Sequence, residues 1–183
     1  MEMRFREILN EIELALEKSD LEKCDAFIDS IINSRTIITY GAGRVGLAMQ
    51  SFSKRLRHLG FNSYFLEDSS VPATNSKDLL ILGTGSGSTP SVRVIAEVAV
   101  KNNLNIHTIT ATPSSVVASM SSNIIYLNTP SKEAPGNKNT SIQPMTTLFE
   151  QTLGIFLDSI VLEIMNTLGE NEITMKERHN VLE

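Results

Sequence analysis

The spacing of hydrophobic and polar residues changes along the 183-residue chain, from a helical periodicity to an alternation of short apolar runs and helical patterns. Over residues 1–35, apolar residues recur every three or four positions. This predicts a helix over 3–17 and a second helix that begins with Ser19 or Asp20 as its cap. From Thr36 onwards, short β-branched or aromatic runs alternate with helical patterns. The runs predict strands at 36–40, 63–66, 78–83, 105–110 and 123–127, and the helical patterns predict helices at 44–59, 90–102, 113–120 and 145–168.

Strands that alternate with helices indicate a doubly wound parallel sheet, so we expect a three-layer α/β fold with five strands and extra terminal helices. We see no linker or repeat and treat 1–183 as a single domain. The turn residues of 128–144 predict a long loop. The helix after it, 145–168, is apolar on most sides, and we therefore expect it to pack against another subunit as well.

Composition narrows the class of protein. The chain is 41% hydrophobic and 20% charged, as in an ordinary globular protein, and its net charge is −5. The absence of a Lys/Arg cluster argues against a nucleic-acid partner. No apolar run reaches the ~18–20 residues of a membrane span, so we expect no membrane partner. The charged N-terminus does not resemble a secretory signal and Cys24 is the only cysteine, which together favour a cytoplasmic protein.

Two glycine-rich loops follow predicted strands. The first, "YGAGRVG", gives Gly41–Gly46 a G-x-G-x-x-G spacing, and Glu67 ends the next strand. By itself this favours either a dinucleotide site or an ordinary tight turn.

The second loop, "GTGSGSTPSV" at 83–92, combines glycines with hydroxyl groups ahead of a helix that opens at Pro90. Backbone N–H groups at a helix N-terminus attract anions, hydroxyl groups add neutral donors, and glycine lets the backbone approach closely. The pattern is typical of a phosphate site, although it lacks the lysine of a nucleotide P-loop. If the strand order is 2-1-3-4-5, both loops line one crevice, at the point where the chain reverses direction.

At these loops the sequence resembles the SIS (sugar isomerase) family of phosphosugar-binding domains, and within it the 6-phospho-3-hexuloisomerase branch. The resemblance continues through "SIQPMTTLFEQTLGIFLD" (141–158) and "RHNVLE" (178–183). It implies a flavodoxin-like sheet, usually in a homotetramer with active sites at subunit interfaces. It also implies interconversion of 3-hexulose 6-phosphate and fructose 6-phosphate, without metal or cofactor, in the ribulose monophosphate route of formaldehyde fixation.

The resemblance also implies roles for particular residues. Glu150 would be the catalytic base, and His179, from a neighbouring subunit, would assist with hydroxyl or ring protons. The substrate and its phosphate would be bound by Gly43, Arg44, Thr84, Ser86, Gly87, Ser88 and Thr89. The chain departs from the family pattern at Ser88, where a glutamate is usual, and at Val45, where a serine is usual. We expect these changes to remove two polar groups from the rim of the cleft, which leaves open a phosphosugar-binding module without catalysis.

The chemistry of a ketose isomerase is compatible with a single carboxylate, which can move a proton between adjacent carbons through an enediol. Glu150 stands early in an apolar helix, after a loop that could cover the cleft. Burial would favour its protonated form and the helix N-terminus its carboxylate, and both remain possible, as does a purely structural role. Of the other histidines, we expect His58 to be exposed and His107 to be packed in the core, and no spacing suggests a metal site.

Overall fold

A five-stranded parallel sheet lies at the centre of the computed structural model, which describes residues 3–131 and 141–182. Its strand order is β2-β1-β3-β4-β5, and every neighbouring pair is parallel. The strands are β1 (Ile37–Gly41), β2 (Ser63–Phe65), β3 (Leu79–Thr84), β4 (Asn105–Thr110) and β5 (Asn123–Tyr126). The predicted fold class and the order 2-1-3-4-5 are therefore confirmed.

Seven helices accompany the sheet in the described residues. They are α1 (Phe5–Glu17), α2 (Cys24–Asn33), α3 (Arg44–His58), α4 (Pro90–Lys101), α5 (Val116–Ser119), α6 (Thr147–Leu168) and α7 (Glu172–Glu177). Helix α6 contacts α1, α2 and α3, whereas α4 contacts α5 and the strands β3 and β4. Because crossovers between parallel strands are right-handed, the reversal of direction between β1 and β3 places α3 and α4 on opposite faces.

The core forms where the sheet is covered on both sides. Every residue of β1 and β3 is buried, as expected for central strands of a parallel sheet that helices enclose. Helix α6 closes one face, and its Phe156 ring lies 6.5 Å from that of Phe27 on α2. The outer side of α6 leaves Ile155 and Leu162 exposed, so its predicted contact with another subunit stays a prediction. None of the described helices combines the length and the apolar character needed to cross a membrane.

Helices α2 and α5 begin at least three residues later than the sequence predicts, because the expected caps make other contacts. Helix α2 begins at Cys24, and the residues expected to cap it connect α1 to the sheet. The backbone N–H of Asp20 donates to the carbonyl of Tyr126 at 3.1 Å, and Ser19 Oγ accepts the N–H of Asn128 at 3.0 Å. The expected cap residues are thus held by β5 and the chain that follows it.

The short helix predicted at 113–120 with Thr112 as cap is confined to α5. Ser115 caps it by accepting the N–H of Ala118 at 3.3 Å. The hydroxyl of Thr112 instead donates to the carbonyl of Gly85 at 3.1 Å. Thr112 therefore supports the hydroxyl-rich loop after β3 and does not start the helix.

His107 in β4 is packed in the core, as predicted. Its side chain is 3% exposed, and its ring centroid lies 5.6 Å from that of Phe27. No described residue forms a hydrogen bond with its Nδ1 atom. Burial lowers the pKa of His107 to about 4, because the imidazolium form would lose its hydration.

This buried imidazole predicts a pH-dependent stability. In the unfolded chain the histidine binds a proton near its ordinary pKa of about 6.5, whereas in the folded chain it stays neutral until the pH approaches 4. The free energy of unfolding should therefore fall as the pH drops from about 6.5 towards 4, by up to about 3 kcal/mol from this residue. His107→Leu should remove this share of the slope in urea denaturation. Identical slopes for the variant and the wild type would contradict the assignment.

Candidate active site

The two glycine-rich loops lie side by side at the carboxyl edge of the sheet. Gly41 and Gly83 are paired in the register of β1 and β3. A Cβ atom added to Gly41 would lie 3.1 Å from the carbonyl oxygen of Gly83 and 2.9 Å from Cγ1 of Val45. This close approach brings the N-termini of α3 and α4 to the same crevice, where the sequence predicts the site.

The hydroxyl loop, residues 84–89, is held together by its own hydrogen bonds. Thr84 is only 3% exposed, and its Oγ1 accepts the N–H of Gly87 at 3.1 Å. Ser86 Oγ accepts both the N–H and the hydroxyl of Ser88, at 3.3 Å and 3.2 Å. Thr89 precedes α4, and its hydroxyl does not cap that helix. Thr84 therefore braces the loop from inside, whereas the side chains of Ser86, Ser88 and Thr89 are half-buried and reach the loop surface.

The hydroxyl loop is also tied to the connection between β4 and α5. The carbonyl of Gly85 accepts the N–H of Ala111 at 3.2 Å, and that of Gly87 accepts the N–H of Val117 at 3.1 Å. Gly87 has a φ of +66°, and a Cβ atom there would lie 1.9 Å from Oγ of Ser115. Both the backbone conformation and the space therefore require glycine at this position.

Glu150 lies in the first turn of α6, beside both loops. Its side chain is 13% exposed, and its Oε1 accepts the hydroxyl of Thr146 at 3.2 Å. The preceding residue, Phe149, packs on the hydroxyl loop, since a Cβ atom on Gly85 would lie 3.3 Å from its ring. Helix α6 thus delivers a carboxylate to the crevice between β1 and β3.

Arg44, the first residue of α3, forms an ion pair with this carboxylate. Its Nε lies 2.9 Å from Oε2 of Glu150, while 63% of the arginine side chain remains exposed. No described residue makes a hydrogen bond to Oε2 in addition to this ionic contact. The arrangement therefore holds the carboxylate from two directions, with Oε2 buried against Arg44 and Oε1 bonded to Thr146.

His179 does not join this site within its own chain. Its ring centroid lies 4.9 Å from that of His58, the last residue of α3. Arg44 is at the opposite end of this 15-residue helix, and a helix of that length spans about 22 Å. A contact between His179 and a Glu150 could therefore form only if the histidine came from another copy of the chain.

The C-terminal segment also explains why His58 is buried, at 7% exposure, and not exposed as predicted. Arg178 donates to the carbonyl of His58 at 3.1 Å and to both carboxylate oxygens of Glu170, at 3.0 Å and 2.8 Å. This cluster holds the segment after α7 over the end of α3. The residues of α3 alone give no sign of this cover, because it comes from a segment 120 residues further along the chain.

The position of the Val45 side chain also differs from the prediction. The sequence predicts that its replacement of a serine removes a polar group from the rim of the cleft. The side chain is instead buried beneath the loops, with Cγ1 close to the positions that Cβ atoms would occupy on Gly41 and Gly83. Val45 therefore forms part of the floor, and of the two departures only Ser88 lies at the loop surface.

Glu67, the residue that suggested a dinucleotide site, lies on the β2 side of the first loop. It is exposed and lines a cleft of about 440 Å³ together with Gly43 and Gln50. Glu150 does not line this cleft. The ion pair of Arg44 and Glu150 therefore lies outside the cleft that Glu67 lines.

Thr146 was not predicted as a site residue, although its spacing from Glu150 indicates the contact. A threonine at the N-cap, four residues before a glutamate, can reach that carboxylate across one helical turn. The pairing of Arg44 with Glu150 has no comparable signal, since the two residues are more than a hundred positions apart.

The fold and the paired loops define the class of the protein, and residues 30–154 match the family model described as the SIS domain. The chain belongs to the SIS family. Two similar proteins are named 3-hexulose-6-phosphate isomerase. The one from Bacillus subtilis is 36% identical over 177 residues, which cover 97% of this chain and 96% of the relative. The one from Methanocaldococcus jannaschii is 39% identical over 157 residues, which cover 86% of this chain and 82% of the relative.

A solved structure has the same fold as this chain over nearly its whole length. It is the crystal structure of a hypothetical protein from Methanococcus jannaschii, from which a molecular function of 3-hexulose-6-phosphate isomerase was inferred. Its TM-score to this chain is 0.85 at 34% identity, and the match covers 98% of this chain and 99% of that one. The resemblance that the sequence suggested is therefore confirmed over nearly the whole chain.

The surroundings of Gly87 in the hydroxyl loop and of Gly154 on α6 predict opposite effects on stability when each is replaced by alanine. Gly87→Ala should lower the free energy of unfolding by more than about 1 kcal/mol, because alanine has a Cβ atom and disfavours positive φ. Gly154→Ala on α6 is the control: its Cβ atom would meet nothing within 4 Å, and alanine should stabilise the helix by about 0.5–1 kcal/mol. Urea denaturation of both variants tests this, and equal stability of the Gly87 variant and the wild type would contradict it.

Proposed function

We propose that the protein is a sugar-phosphate isomerase that interconverts 3-hexulose 6-phosphate and fructose 6-phosphate. The observation that carries the proposal is the position of Glu150, which lies beside a hydroxyl-rich loop and pairs with Arg44 at the head of α3. A carboxylate next to a loop suited to phosphate is what a ketose-phosphate isomerase requires. The names of the similar proteins from Bacillus subtilis and Methanocaldococcus jannaschii support the choice of substrate.

The phosphate of the sugar is assigned to the hydroxyl loop and the start of α4. The hydroxyl groups of Ser86, Ser88 and Thr89 would donate to it, together with backbone N–H groups at the N-terminus of this 12-residue helix. Thr84 would act indirectly, since its side chain is buried at 3% exposure, whereas Ser86, Ser88 and Thr89 are half-buried. In this proposal Thr84 maintains the shape of the loop, and its neighbours make the contacts.

The chemical step is a proton transfer between C2 and C3 of the sugar. Starting from the 3-hexulose, Glu150 takes the proton on C2, the C–H electron pair forms a C2=C3 double bond, and the C3 carbonyl oxygen gains a proton. In the second half the C2 hydroxyl loses its proton to become the carbonyl, and Glu150 returns the first proton to C3. Carbon C2 is oxidised and C3 is reduced, so that the reaction balances without an external oxidant or reductant.

Arg44 has a double role in this proposal. Its Nε lies 2.9 Å from Oε2 of Glu150, and this ion pair would hold the carboxylate in place for the proton transfer. Because most of the Arg44 side chain is exposed, its remaining N–H groups can donate to the sugar oxygen on which negative charge develops. In this proposal Arg44 therefore lies beside the reacting carbons, and the hydroxyl loop binds the phosphate.

Glu150→Gln tests the assignment of the base. The amide keeps the size of the side chain but cannot take the C2 proton, so we expect the conversion of fructose 6-phosphate to fall by about a thousandfold. The shift in melting temperature that fructose 6-phosphate causes should persist, since the hydroxyl loop is unchanged. Glu163→Gln, at an exposed position on the same helix, is the matched control and should keep full activity.

Two results would contradict parts of this proposal in different ways. An active Glu150→Gln variant would show that another group is the base. A wild-type protein that is stabilised by fructose 6-phosphate but converts none of it would favour a phosphosugar-binding module without catalysis. This second function is a candidate because Ser88 stands where a glutamate is usual in the family, so that an acidic group is missing from the hydroxyl loop.

We further propose that His179 assists the proton transfers in a neighbouring subunit of a homo-oligomer. Within its own chain it is separated from Arg44 and Glu150 by the length of α3. The exposed Ile155 and Leu162 on α6 offer an apolar surface for a second copy.

Subunit mixing tests this arrangement. Glu150→Gln and His179→Ala should each be nearly inactive alone. Hybrid oligomers, formed by unfolding and refolding the two variants together, should regain activity, because an intact Glu150 then meets an intact His179 from the other chain. A hybrid no more active than the two separate variants would exclude action between subunits.

A further inference from the structure

We infer that Glu11 of α1 is a positioning residue that fixes the start of α6 and thereby the aim of Glu150. The inference rests on the proposed function, because it concerns the carboxylate assigned there as the base. Helix α1 precedes residues 30–154, the part of the chain that matches the SIS model, so this role would be an addition to the family-wide framework.

The contact consists of three hydrogen bonds to one carboxylate. Oε1 of Glu11 accepts the backbone N–H of Ile142 at 2.8 Å. Oε2 accepts the hydroxyl of Ser141 at 2.8 Å and the side-chain N–H of Gln143 at 3.0 Å. Although burial acts to raise it, these hydrogen bonds hold the pKa of Glu11 below its ordinary value. Glu11 therefore stays ionised at neutral pH and binds residues 141–143 with charge-assisted hydrogen bonds.

A short and well-connected path leads from this contact to Glu150. Both the N–H and the hydroxyl of Thr147 donate to the carbonyl of Pro144, at 3.2 Å and 2.8 Å. Thr146, the N-cap of α6, donates through its hydroxyl to Oε1 of Glu150. Met145 lies between Pro144 and Thr146 and has a φ of +56°. An L-residue adopts this left-handed conformation only when its surroundings hold it there. Fixing residues 141–143 thus fixes the turn from which α6 begins.

The surroundings of α1 fit this role. Leu148, in the first turn of α6, lines a small cavity of about 120 Å³ together with Glu11 and Leu14 of α1. The same face of α1 therefore meets the segment before α6 and the first turn of α6 itself. Arg44 approaches Glu150 from α3, so the carboxylate is constrained from two sides: through its ion pair, and through the backbone that Glu11 holds.

Glu11→Ala should lower kcat for fructose 6-phosphate by about 10- to 100-fold, because a displacement of the base by roughly 1 Å has an effect of that size. KM should change little, since the hydroxyl loop that holds the phosphate does not touch Glu11. Glu11→Gln keeps one oxygen that can accept hydrogen bonds from residues 141–143. Its kcat should therefore lie between those of the wild type and of Glu11→Ala. Glu13→Ala, at an exposed position on the same helix, should leave both constants unchanged.

Hydrogen–deuterium exchange provides a measurement that does not depend on activity. In Glu11→Ala the amides of 142–150 should exchange faster than in the wild type, while those of the sheet and of α4 stay unchanged. If the alanine variant fails to fold, Gln143→Ala removes one of the three contacts from the other side and should speed exchange in the same segment.

The outcomes separate this inference from the proposed function. A wild-type protein without isomerase activity would overturn the proposed function, and the exchange data would still decide whether Glu11 fixes the start of α6. A folded Glu11→Ala protein with unchanged exchange at 142–150 would overturn the positioning role. So would a loss of activity that appears only in KM, or one that Glu13→Ala reproduces.

Discussion

The close approach of two backbones at Gly41 and Gly83 is the constraint on which the site depends. These residues end neighbouring strands, and almost any side chain at either position would collide with the other loop or with the buried Val45 and Met49. Because the strand ends are this close, the N-termini of α3 and α4 open into one crevice. Phe149 then packs against Gly85, which brings α6 to the same edge. The chemistry that we propose is a consequence of this packing at the reversal point of the sheet.

The candidate site is assembled from parts of the chain that serve different purposes. The hydroxyl loop gives donors without charge, α3 gives a cation, and α6 gives a carboxylate. Each would be ordinary alone, since glycine-rich turns, exposed arginines and first-turn glutamates are common in α/β proteins. Their combination becomes specific only because the fold brings them together, and residues 30–154, which match the SIS model, contain all three. Helices α1 and α7 lie outside that range, and α1 is the one that contacts the segment before α6.

The strand order, both loops and the approximate helices could be predicted because their signals are local or follow from simple topological rules. The periodicity of short apolar runs gives the strands, and the reversal between strands one and three places the loops together. The failures involve contacts between distant residues. Asp20 could not be recognised as a partner of Tyr126, nor His58 as covered by Arg178, since no local pattern reports such pairings. The ion pair of Arg44 and Glu150 was beyond reach for the same reason, although both residues were singled out separately.

The internal hydrogen bonds of the hydroxyl loop have a consequence for binding energy. Thr84 and Ser86 hold the loop by accepting N–H groups from within it, and the carbonyls of Gly85 and Gly87 anchor it to the chain after β4. A loop already ordered in this way loses little conformational entropy when an anion arrives. In the function that we propose, the favourable energy of binding the phosphate then remains available to orient the far end of the sugar against the carboxylate. A preorganised grip at one end of a small ligand is thus a means of aligning the other end.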